Sequence, residues 1–376
     1  MKIAILGGAF NPVHREHVNL ARAAVKQLKL DKLIIMPTAV SPHKSGKLSA
    51  DFWQRFEMCR LAFASVPEAE VSNYELTRGG VSYTYLTCRH FADLYKDDER
   101  YFIIGADMLE NFPQWKNPEI ILENFTLAAC AREDGRQFDG YKKRVEELFS
   151  TEVATIPFVG EKVSSTEVRT LAALGERFGG YLNAEVCQYI EENELYSIGA
   201  VKNVKSLLKP ERWAHTVRVA VTCAKNAARV NLSEKQAIIM AALHDCAKNL
   251  PVDSPFLYGY KGENYAPPPV VHQYTSAYVA EKFFGVKDKL ILDAIACHTT
   301  GRENMTGADK LLYLSDMLEE GRTFDGAEDL RKIFKEDLDE CLKAALCHQI
   351  RYLQSTGGEI DPQTERAYKY VTEKNL

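Results

Sequence analysis

Several features are missing from this 376-residue sequence, and each absence argues against a class of protein. No apolar run reaches the 18 or more residues of a membrane-spanning helix, so we expect no membrane partner. The N-terminus has no basic segment followed by an apolar stretch, so we expect no signal peptide. Nine cysteines occur singly, without a C-x-x-C pair, which argues against a disulfide framework and a cysteine zinc site. We therefore expect a cytoplasmic protein with reduced thiols.

An excess of positive charge is also missing. The net charge of −5 argues against a nucleic-acid partner, and small-molecule ligands are the expected partners. There is no low-complexity tract, and 46% of the residues are apolar, which is typical of a globular protein. The length predicts at least two domains. The oligomeric state stays open, and a homo-oligomer is one of the options.

The first half of the chain alternates between strand-like and helical segments. This alternation predicts βαβ units and an α/β Rossmann-like domain with a parallel sheet. The predicted strands cover residues 3–6, 32–36, 70–72, 101–104, 125–131 and 154–158. The predicted helices between and after them cover residues 18–30, 50–64, 84–94, 118–123, 141–148, 165–174 and 183–193.

Beyond a weakly patterned segment at residues 196–203, the strand pattern almost vanishes. The second half therefore reads as an all-α bundle, and we expect domains at residues 1–197 and 203–376. One long irregular stretch, residues 251–269, is rich in Pro, Gly and Tyr and is typical of a functional loop. The predicted helices are 201–208, 211–230, 233–245, 271–284, 287–297, 307–317, 330–356 and 362–372.

A glycine turn joins the first strand to the first helix and ends in two histidines, His14 and His17. The glycines Gly7 and Gly8 allow a phosphate to approach the backbone, and the following helix presents free N–H groups. His14 and His17 would lie on one face of the first helical turn. An ordinary strand–helix junction with two surface histidines is the alternative, since short motifs have many false matches.

The run Gly7-Gly8-Ala9-Phe10-Asn11-Pro12-Val13-His14-x-x-His17 closely resembles the signature of the nicotinate mononucleotide adenylyltransferases, a family of nucleotidyltransferases. Four further segments resemble that family's motifs in the same order along the chain. They are Ser41-Pro42-His43-Lys44, Ser82-Tyr83-Thr84, Gly105-Ala106-Asp107 followed by Trp115, and Ser164-Ser165-Thr166-Glu167-Val168-Arg169.

The resemblance implies transfer of the adenylyl group of ATP to nicotinate mononucleotide, with Mg²⁺ on the ATP phosphates and pyrophosphate as the leaving group. Nicotinamide mononucleotide stays open as a substrate. The implied catalytic residues, which would contact the phosphates, are His14, His17, Lys44 and Arg169. The implied ATP- and substrate-binding residues are Gly7, Gly8, Phe10, Asn11, His43, Tyr83, Thr84, Gly105, Asp107, Trp115, Ser165 and Thr166.

Two positions depart from this family's pattern. Glu16 replaces a glycine in H-x-G-H, and Leu86 occupies a position where the family commonly has Asp. A carboxylate at residue 16 would weaken ATP binding unless it points away or pairs with Arg15 or Arg22. Because both histidines and the S-S-T-x-x-R motif remain, we expect adenylyl transfer to persist.

The helical half contains an ordered set of metal-ligand residue types. His244-Asp245 follows an apolar helix, and Asp316 lies within another, where a carboxylate is costly to bury without a cation. A single histidine in a helix usually has a structural role. The hypothesis of a metal site therefore rests on the whole ordered set of residues. The members are His215, His244, Asp245, His272, His298 and Asp316.

This pattern resembles the HD-domain phosphohydrolases, and more narrowly the YqeK-type HD domains, which hydrolyse diadenosine tetraphosphate symmetrically to two ADP. The resemblance implies two metal ions, usually iron, although ligand chemistry alone also allows Mn, Zn or Co. His215, His244, Asp245 and Asp316 would hold one metal, and His272 and His298 the second, with Asp245 able to bridge. Asp245 and Lys248 are the implied catalytic residues, and the implied substrate-binding residues are Thr299, Thr300, Gly301 and Arg302.

The resulting hypothesis is one chain with two enzymes, which makes nicotinate adenine dinucleotide and clears dinucleoside polyphosphates. Two alternatives stay open. The HD domain hydrolyses a different nucleotide or a phosphomonoester, or one of the two domains is a degenerate nucleotide sensor that regulates the other.

Overall fold

The structure is a computed structural model, and it describes residues 1–41, 46, 48–131, 135–158, 160–161, 163–262 and 268–373. The chain divides into two compact units. The N-terminal unit comprises Met1–Ser45, Ser49–Val168 and Phe178–Leu195. The C-terminal unit comprises Gly46–Leu48, Arg169–Arg177 and Tyr196–Leu376.

The N-terminal unit is built on a six-stranded parallel sheet with the order β3-β2-β1-β4-β5-β6. The strands are β1 Lys2–Gly8, β2 Lys32–Pro37, β3 Ala69–Val71, β4 Glu99–Gly105, β5 Thr126–Ala131 and β6 Ala154–Pro157. The helices are α1 Arg15–Leu28, α2 Phe52–Phe63, α3 Tyr74–Arg78, α4 Thr84–Leu94, α5 Ala106–Asn111, α6 Pro118–Asn124, α7 Gly135–Phe149, α8 Ser165–Ala173 and α9 Ala184–Glu192. Of these helices, α8 ends in the C-terminal unit.

Alternate strand residues form one apolar face of the sheet. Ile3 and Ile5 of β1 and Ile104 of β4 join a buried cluster with Phe91 of α4 and Ile121 of α6. The period of two along the strands explains why one set of side chains meets these helices. The carboxyl ends of these parallel strands therefore lie along one edge of a sheet that is packed against helices.

The C-terminal unit is helical throughout the part of the chain that is described. Its helices are α10 Pro210–Asn226, α11 Glu234–Leu243, α12 Pro268–Lys282, α13 Lys289–Ile295, α14 Gly307–Leu318, α15 Ala327–Glu336, α16 Leu338–Thr356 and α17 Pro362–Glu373. Every residue of α11 from Ala237 to Leu243 is buried. A helix that is apolar on all sides lies inside a hydrophobic core. The residues that follow α11 therefore begin in the core of the C-terminal unit.

The predicted architecture, a parallel α/β domain followed by an all-α domain, is confirmed. Three details of the prediction were wrong. The predicted helix at residues 201–208 is two short 3₁₀ turns, Gly199–Val201 and Val204–Leu207. The predicted helix at 330–356 is two helices, because Asp337 adopts an extended backbone and its side chain accepts the N–H groups of Asp339 and Glu340. The short helices α3 and α5 were not predicted. None of the described helices is long and apolar enough to cross a membrane.

Candidate functional sites

The glycine turn after β1 lies where the strand order reverses. β1 pairs with β2 on one side and with β4 on the other, and ligands of open α/β sheets bind at this crevice. Gly7 and Gly8 end β1, and Gly105 ends β4. A Cβ atom on Gly105 would lie 2.7 Å from Asp107 Oδ1, so a larger residue there would displace the Asp107 carboxylate. The sheet therefore brings the first and fourth predicted motifs to the same edge.

Side chains from neighbouring segments hold the turn itself. Arg55 of α2 is buried and donates from Nη1 to the Ala9 carbonyl at 2.8 Å. The Asn11 side chain accepts the Ala50 N–H at 3.1 Å, and Phe10 adopts a positive φ of 45°. Sequence analysis missed Arg55, because an arginine in the middle of a helix gives no signal that distinguishes it from a surface residue.

His14 and His17 lie side by side at the start of α1. Their rings stack at 3.6 Å, and the His14 backbone N–H donates to His17 Nδ1 at 3.1 Å. Because Nδ1 of His17 accepts, the ring proton must be on Nε2. Burial holds the pKa of His17 well below its usual value, and His14 lowers it further. His17 is therefore a neutral hydrogen-bond donor through Nε2.

Glu16, the unusual residue of the motif, has its carboxylate bound by protein groups. Oε2 accepts the Glu161 N–H at 2.9 Å, and Oε1 accepts the Asn19 side-chain amide at 3.0 Å. Arg15 Nε lies 3.8 Å from Oε1, and the Arg15 guanidinium also contacts the Glu161 carboxylate. Of the two arginines considered as partners from the sequence, the structure pairs Glu16 with Arg15.

The residues predicted to hold the pyridine ring are half-buried. Tyr83 precedes α4 and has Lys116 Nζ at 4.2 Å from its ring centre, and Thr84 begins α4. Trp115 packs against the core through Phe112, with ring centres 5.3 Å apart. The indole thus has a structural contact, and its role in substrate binding stays a prediction.

The loop after β2 is held by two buried residues, Ser82 of the S-Y-T segment and Glu75, which were not among the predicted binding residues. The Ser82 hydroxyl accepts the N–H groups of Ala39 and Val40 at 3.1 Å each. Glu75 accepts the Ala39 N–H at 3.3 Å and the Thr87 hydroxyl at 2.9 Å. The serine of S-Y-T therefore shapes this loop. The next predicted residues, His43 and Lys44, lie outside the described residues.

The S-S-T-x-x-R segment is divided between two environments. Ser165 donates to the Pro12 carbonyl at 3.0 Å, which ties α8 to the glycine turn, and Thr166 is half-buried in the first turn of α8. Arg169 belongs to the C-terminal unit, where its Nε and Nη2 each donate to the Glu234 carboxylate at 2.8 Å. That pair was not predicted, and contact of Arg169 with phosphate stays a prediction.

In the C-terminal unit, the six predicted metal ligands meet in one cluster. His215 comes from α10, His244 and Asp245 follow α11, and His272 comes from α12. The remaining two ligands are His298, which follows α13, and Asp316 of α14.

Three histidines of the cluster are held through Nδ1, so that Nε2 faces inward. The partners are Glu319 for His215 at 3.0 Å, the Ala241 carbonyl for His244 at 2.6 Å, and the Ile295 carbonyl for His298 at 2.8 Å. Because each acceptor takes an N–H from Nδ1, each Nε2 keeps a lone pair, which is the form that binds a metal.

Asp245 presents its two oxygens to two sets of histidines. Oδ1 lies 3.1 Å from His272 Nε2 and 3.5 Å from His298 Nε2, and Oδ2 lies 3.4 Å from His244 Nε2. Burial opposes the charge of Asp245, but its contacts with histidines, that with His244 first, outweigh burial and hold its pKa well below the usual value. A carboxylate in this position is arranged to bridge two cations.

The donor atoms fit metal binding. His215 Nε2 lies 2.8 Å from Asp316 Oδ1 and His244 Nε2 lies 3.9 Å from it, yet neither nitrogen has a partner aligned as a hydrogen bond among the described residues. The Nε2 atoms of His272 and His298 face each other at 3.1 Å. Two groups have the spacing of metal ligands, His215–His244–Asp316 and His244–Asp245–His298. Nitrogen and oxygen donors of this kind suit divalent first-row metals.

Burial sets the charge state of His272, and hydrogen-bond partners set that of Glu319. Desolvation lowers the pKa of His272 to about 4, with an opposing effect from Asp245, so the imidazole is neutral at neutral pH. Desolvation opposes ionisation of Glu319, but Arg218 and His215 outweigh it and lower the pKa of Glu319 to about 2. His272 is therefore in the neutral form that binds a metal, and Glu319 is an ionised acceptor for His215 Nδ1.

Gln273 organises the segment after His298 and was missed from the sequence. Its Oε1 accepts the N–H groups of Thr299 at 3.0 Å and Thr300 at 3.3 Å, and its Nε2 donates to the Thr300 hydroxyl at 3.1 Å. Gly301 has a positive φ of 67°, which glycine adopts without strain. The Thr299 hydroxyl lies 3.2 Å from His272 Nε2, so Thr299 reaches the cluster.

The two predicted phosphate-binding cations differ in position. Lys248 Nζ lies 3.4 Å from Asp245 Oδ1 and 3.3 Å from His272 Nε2, directly at the cluster. Arg302 donates from Nε and Nη2 to the buried carboxylate of Asp309, at 2.9 and 2.7 Å. Asp309 also accepts the Thr306 N–H, so this pair stabilises the start of α14. The role of Arg302 in substrate binding stays a prediction.

A pocket of about 340 Å³ adjoins the cluster at His215. It is lined in part by Arg212, whose Nη1 is 3.0 Å from Asp245 Oδ2, and by Arg322, whose Nη2 is 3.1 Å from Asp316 Oδ1. Each arginine uses only part of its five N–H donors in these contacts. The pocket therefore joins metal-ligand carboxylates to cations suited to phosphate.

We expect Glu16→Gly to lower the free energy of unfolding of the N-terminal unit by about 2 kcal/mol. The change removes charged hydrogen bonds and places glycine in a helix. Urea denaturation followed by circular dichroism measures it. Glu16→Gln, which keeps the length of the side chain, is the matched control and should lose less. A glycine variant as stable as the wild type would contradict the role of Glu16 in holding residue 161.

Comparisons with known proteins agree with this geometry. Residues 5–171 match the cytidylyltransferase-like family, and residues 212–325 match the HD domain family. A probable nicotinate-nucleotide adenylyltransferase from Clostridium kluyveri is 33% identical over 52% of this chain and 99% of its own length. A solved structure from Clostridium acetobutylicum, described as a "predicted HD superfamily hydrolase involved in NAD metabolism", is 30% identical, covering 46% of this chain and 96% of that one, with a TM-score of 0.42.

One relative matches almost the whole chain. It is the probable nicotinate-nucleotide adenylyltransferase/Ap4A hydrolase of Mycoplasma genitalium, which is 30% identical over 361 residues, 94% of this chain and 98% of the relative. The order of the two matched domains is the order of the two sites described above. The chain therefore belongs to the family of nicotinate-nucleotide adenylyltransferase/Ap4A hydrolases.

Proposed function

We propose that the N-terminal unit transfers the adenylyl group of ATP to nicotinate mononucleotide, giving nicotinate adenine dinucleotide and pyrophosphate. The observation that carries this proposal is the placement of His17 in the first turn of α1, with its ring centre 5.1 Å from that of Phe10, in the segment that follows β1 at the strand-order reversal, in a chain of this family. A mononucleotide phosphate oxygen attacks the α-phosphorus of ATP, the bond to the β-phosphate oxygen breaks, and pyrophosphate leaves with the electron pair.

The residues of the site act by positioning and by hydrogen bonding. His17 donates from Nε2 to a phosphate oxygen, where it stabilises negative charge that develops during transfer. The free N–H groups at the start of α1 contribute to the same anion site. Mg²⁺ held on the ATP phosphates would neutralise charge on the triphosphate. Tyr83 and Trp115 support an aromatic site for the pyridine ring.

Two substitutions of His17 test the roles of its two ring nitrogens separately. Asparagine places an acceptor near the position of Nδ1 and so keeps the bond from the His14 N–H, but it removes the Nε2 donor. We expect His17→Asn to fold normally and to lower kcat for adenylyl transfer about 100-fold, the size found for loss of one transition-state donor. Pyrophosphate release assays measure it.

Glutamine places its amide near Nε2 and is the matched variant. His17→Gln should keep more activity than His17→Asn and should be less stable, because the His14 N–H loses its acceptor. Equal activity of the two variants would contradict the assignment of Nε2 as the donor.

We propose that the C-terminal unit hydrolyses diadenosine tetraphosphate symmetrically to two ADP, with two metal ions that are iron. The bound metals would supply an activated water and charge stabilisation at the phosphate. Asp245 lies between the two histidine groups, Arg212 and Arg322 hold the polyphosphate on the pocket side, and Lys248 contacts it from beside Asp245 Oδ1. The convergence of four histidine Nε2 atoms on two carboxylates carries this proposal.

The nine cysteines are all unpaired thiols, which supports a reducing compartment such as the cytoplasm for this enzyme. Burial raises the pKa of several of these thiols, among them Cys246 beside the cluster, to about 12. Cys246 Sγ donates to the Ser276 carbonyl at 3.5 Å, and Cys246 belongs to neither of the groups with metal-ligand spacing among the described residues.

Asp245→Asn should separate the two activities. The amide keeps the shape of the side chain but loses the charge that two histidine groups and Arg212 face. Because loss of residues that only support metal ligands costs 10–100-fold, we expect loss of a bridging ligand to lower hydrolysis by more than about 100-fold. Adenylyl transfer should stay unchanged.

The assay for both sites is one experiment. Protein is incubated with ATP, Mg²⁺ and either nicotinate or nicotinamide mononucleotide, and separately with diadenosine tetraphosphate, and products are resolved chromatographically. His17→Asn and Asp245→Asn serve as reciprocal controls. Absence of dinucleotide with either mononucleotide, or hydrolysis that survives in Asp245→Asn, would refute the corresponding half of the proposal.

Arg322→Gln tests the phosphate side of the pocket. We expect the KM for diadenosine tetraphosphate to rise about tenfold, since a partly exposed charged hydrogen bond contributes on the order of 1.4 kcal/mol. Lys332→Gln, an exposed cation of α15 that pairs with Asp329, is the control. A KM unchanged in Arg322→Gln would remove this residue from the substrate site.

A further inference from the structure

Glu319 is a buried carboxylate that follows α14 and lies next to the metal-ligand cluster. Its side chain is 2% exposed. His215 Nδ1 donates to Oε1 at 3.0 Å, the Gly321 N–H donates to Oε2 at 2.5 Å, and Arg218 donates to both oxygens. The carboxylate is therefore fixed in one orientation, with one oxygen turned towards the imidazole of His215.

His215 differs in this respect from the other two histidines that are tethered through Nδ1. His244 and His298 donate to backbone carbonyls of the preceding turn, the groups of Ala241 and Ile295. A carboxylate is a stronger acceptor than a carbonyl, because it carries a full charge. It makes the imidazole a better electron donor at Nε2 and stabilises positive charge on the ring–metal unit.

The two groups with metal-ligand spacing therefore differ in the acceptors that hold their histidines. His215 belongs only to the group with His244 and Asp316, whereas His298 belongs to the group with His244 and Asp245. We infer that Glu319 is a positioning residue that raises the metal affinity of the His215–His244–Asp316 position and so makes the two metal positions unequal. This inference rests on the proposed metal-dependent function of the C-terminal unit.

A purely structural role for Glu319 predicts something else. In that case the carboxylate would serve to hold the chain after α14 through Arg218 and Gly321, and its loss would destabilise the unit without a preference for one metal position. Arg218 contacts Glu319 but no residue of the cluster in the described part of the chain, so Arg218→Gln tests the structural contact separately.

The test is a metal titration of the full chain, stripped of metal and titrated with Mn²⁺, with free Mn²⁺ measured by electron paramagnetic resonance. We expect two dissociation constants for the wild type. Glu319→Gln should weaken one of them about 10–100-fold and leave the other within twofold. Glu320→Gln, a change at the adjacent exposed carboxylate, should match the wild type.

A His298→Asn background identifies the affected position. That variant keeps the His215–His244–Asp316 position and should bind one Mn²⁺, and addition of Glu319→Gln should weaken this remaining ion by the same factor. Unchanged affinity in Glu319→Gln, or equal weakening of both ions in Glu319→Gln and Arg218→Gln, would overturn the inference. Unequal Mn²⁺ positions in a protein that does not cleave diadenosine tetraphosphate would support the inference and refute the substrate proposed above.

Discussion

The hydrogen bond at Nδ1 determines what each site histidine offers at Nε2, and both candidate sites depend on it. In the N-terminal unit, His17 Nδ1 accepts a backbone N–H, which leaves a donor at Nε2. In the C-terminal unit, Nδ1 of His215, His244 and His298 faces an oxygen, which leaves a lone pair at Nε2. The same side chain is therefore suited to donate to a phosphate in one unit and to bind a cation in the other.

Backbone geometry supplies most of these hydrogen bonds. His17 lies three residues after His14, and His244 and His298 lie three residues after the carbonyls that they contact. Backbone N–H and carbonyl groups are free for such contacts at helix ends, because those inside a helix pair with each other. His17, His244 and His298 accordingly lie at helix ends, whereas His215 lies within α10 and contacts the side chain of Glu319 instead.

Much of the fold could be predicted because periodicity is a local property. The six strands and the switch to helices follow from patterns of two and of 3.6 residues, and α4 was predicted with its observed bounds, Thr84–Leu94. The break at Asp337 was missed because helical periodicity does not reveal a capping side chain. The Asp337 side chain accepts the N–H groups of the residues that follow it and so starts a new helix. The 3₁₀ turns at residues 199–207 were missed for want of a distinguishing pattern.

Motifs predicted the residues of the candidate sites but not the residues that hold them in position by hydrogen bonds. Glu319 and Gln273 act on site residues across the fold, over separations of 104 residues to His215 and 26 residues to Thr299. A single sequence carries no mark of such pairings. Arg169 shows the same gap, since its partner Glu234 lies 65 residues away and reads from the sequence as an acidic residue at the start of a helix.

The helix α12 contacts three parts of the C-terminal site from adjacent positions. His272 faces Asp245, Gln273 holds Thr299 and Thr300, and the Ser276 hydroxyl accepts the Ala247 N–H at 3.1 Å. Successive residues of an α-helix are rotated by about 100° around its axis and separated by about 1.5 Å along it. A one-residue insertion or deletion between His272 and Ser276 would rotate some of these side chains away from the others. This helix can therefore change in composition on its outer face during evolution, while the spacing from His272 to Ser276 is constrained.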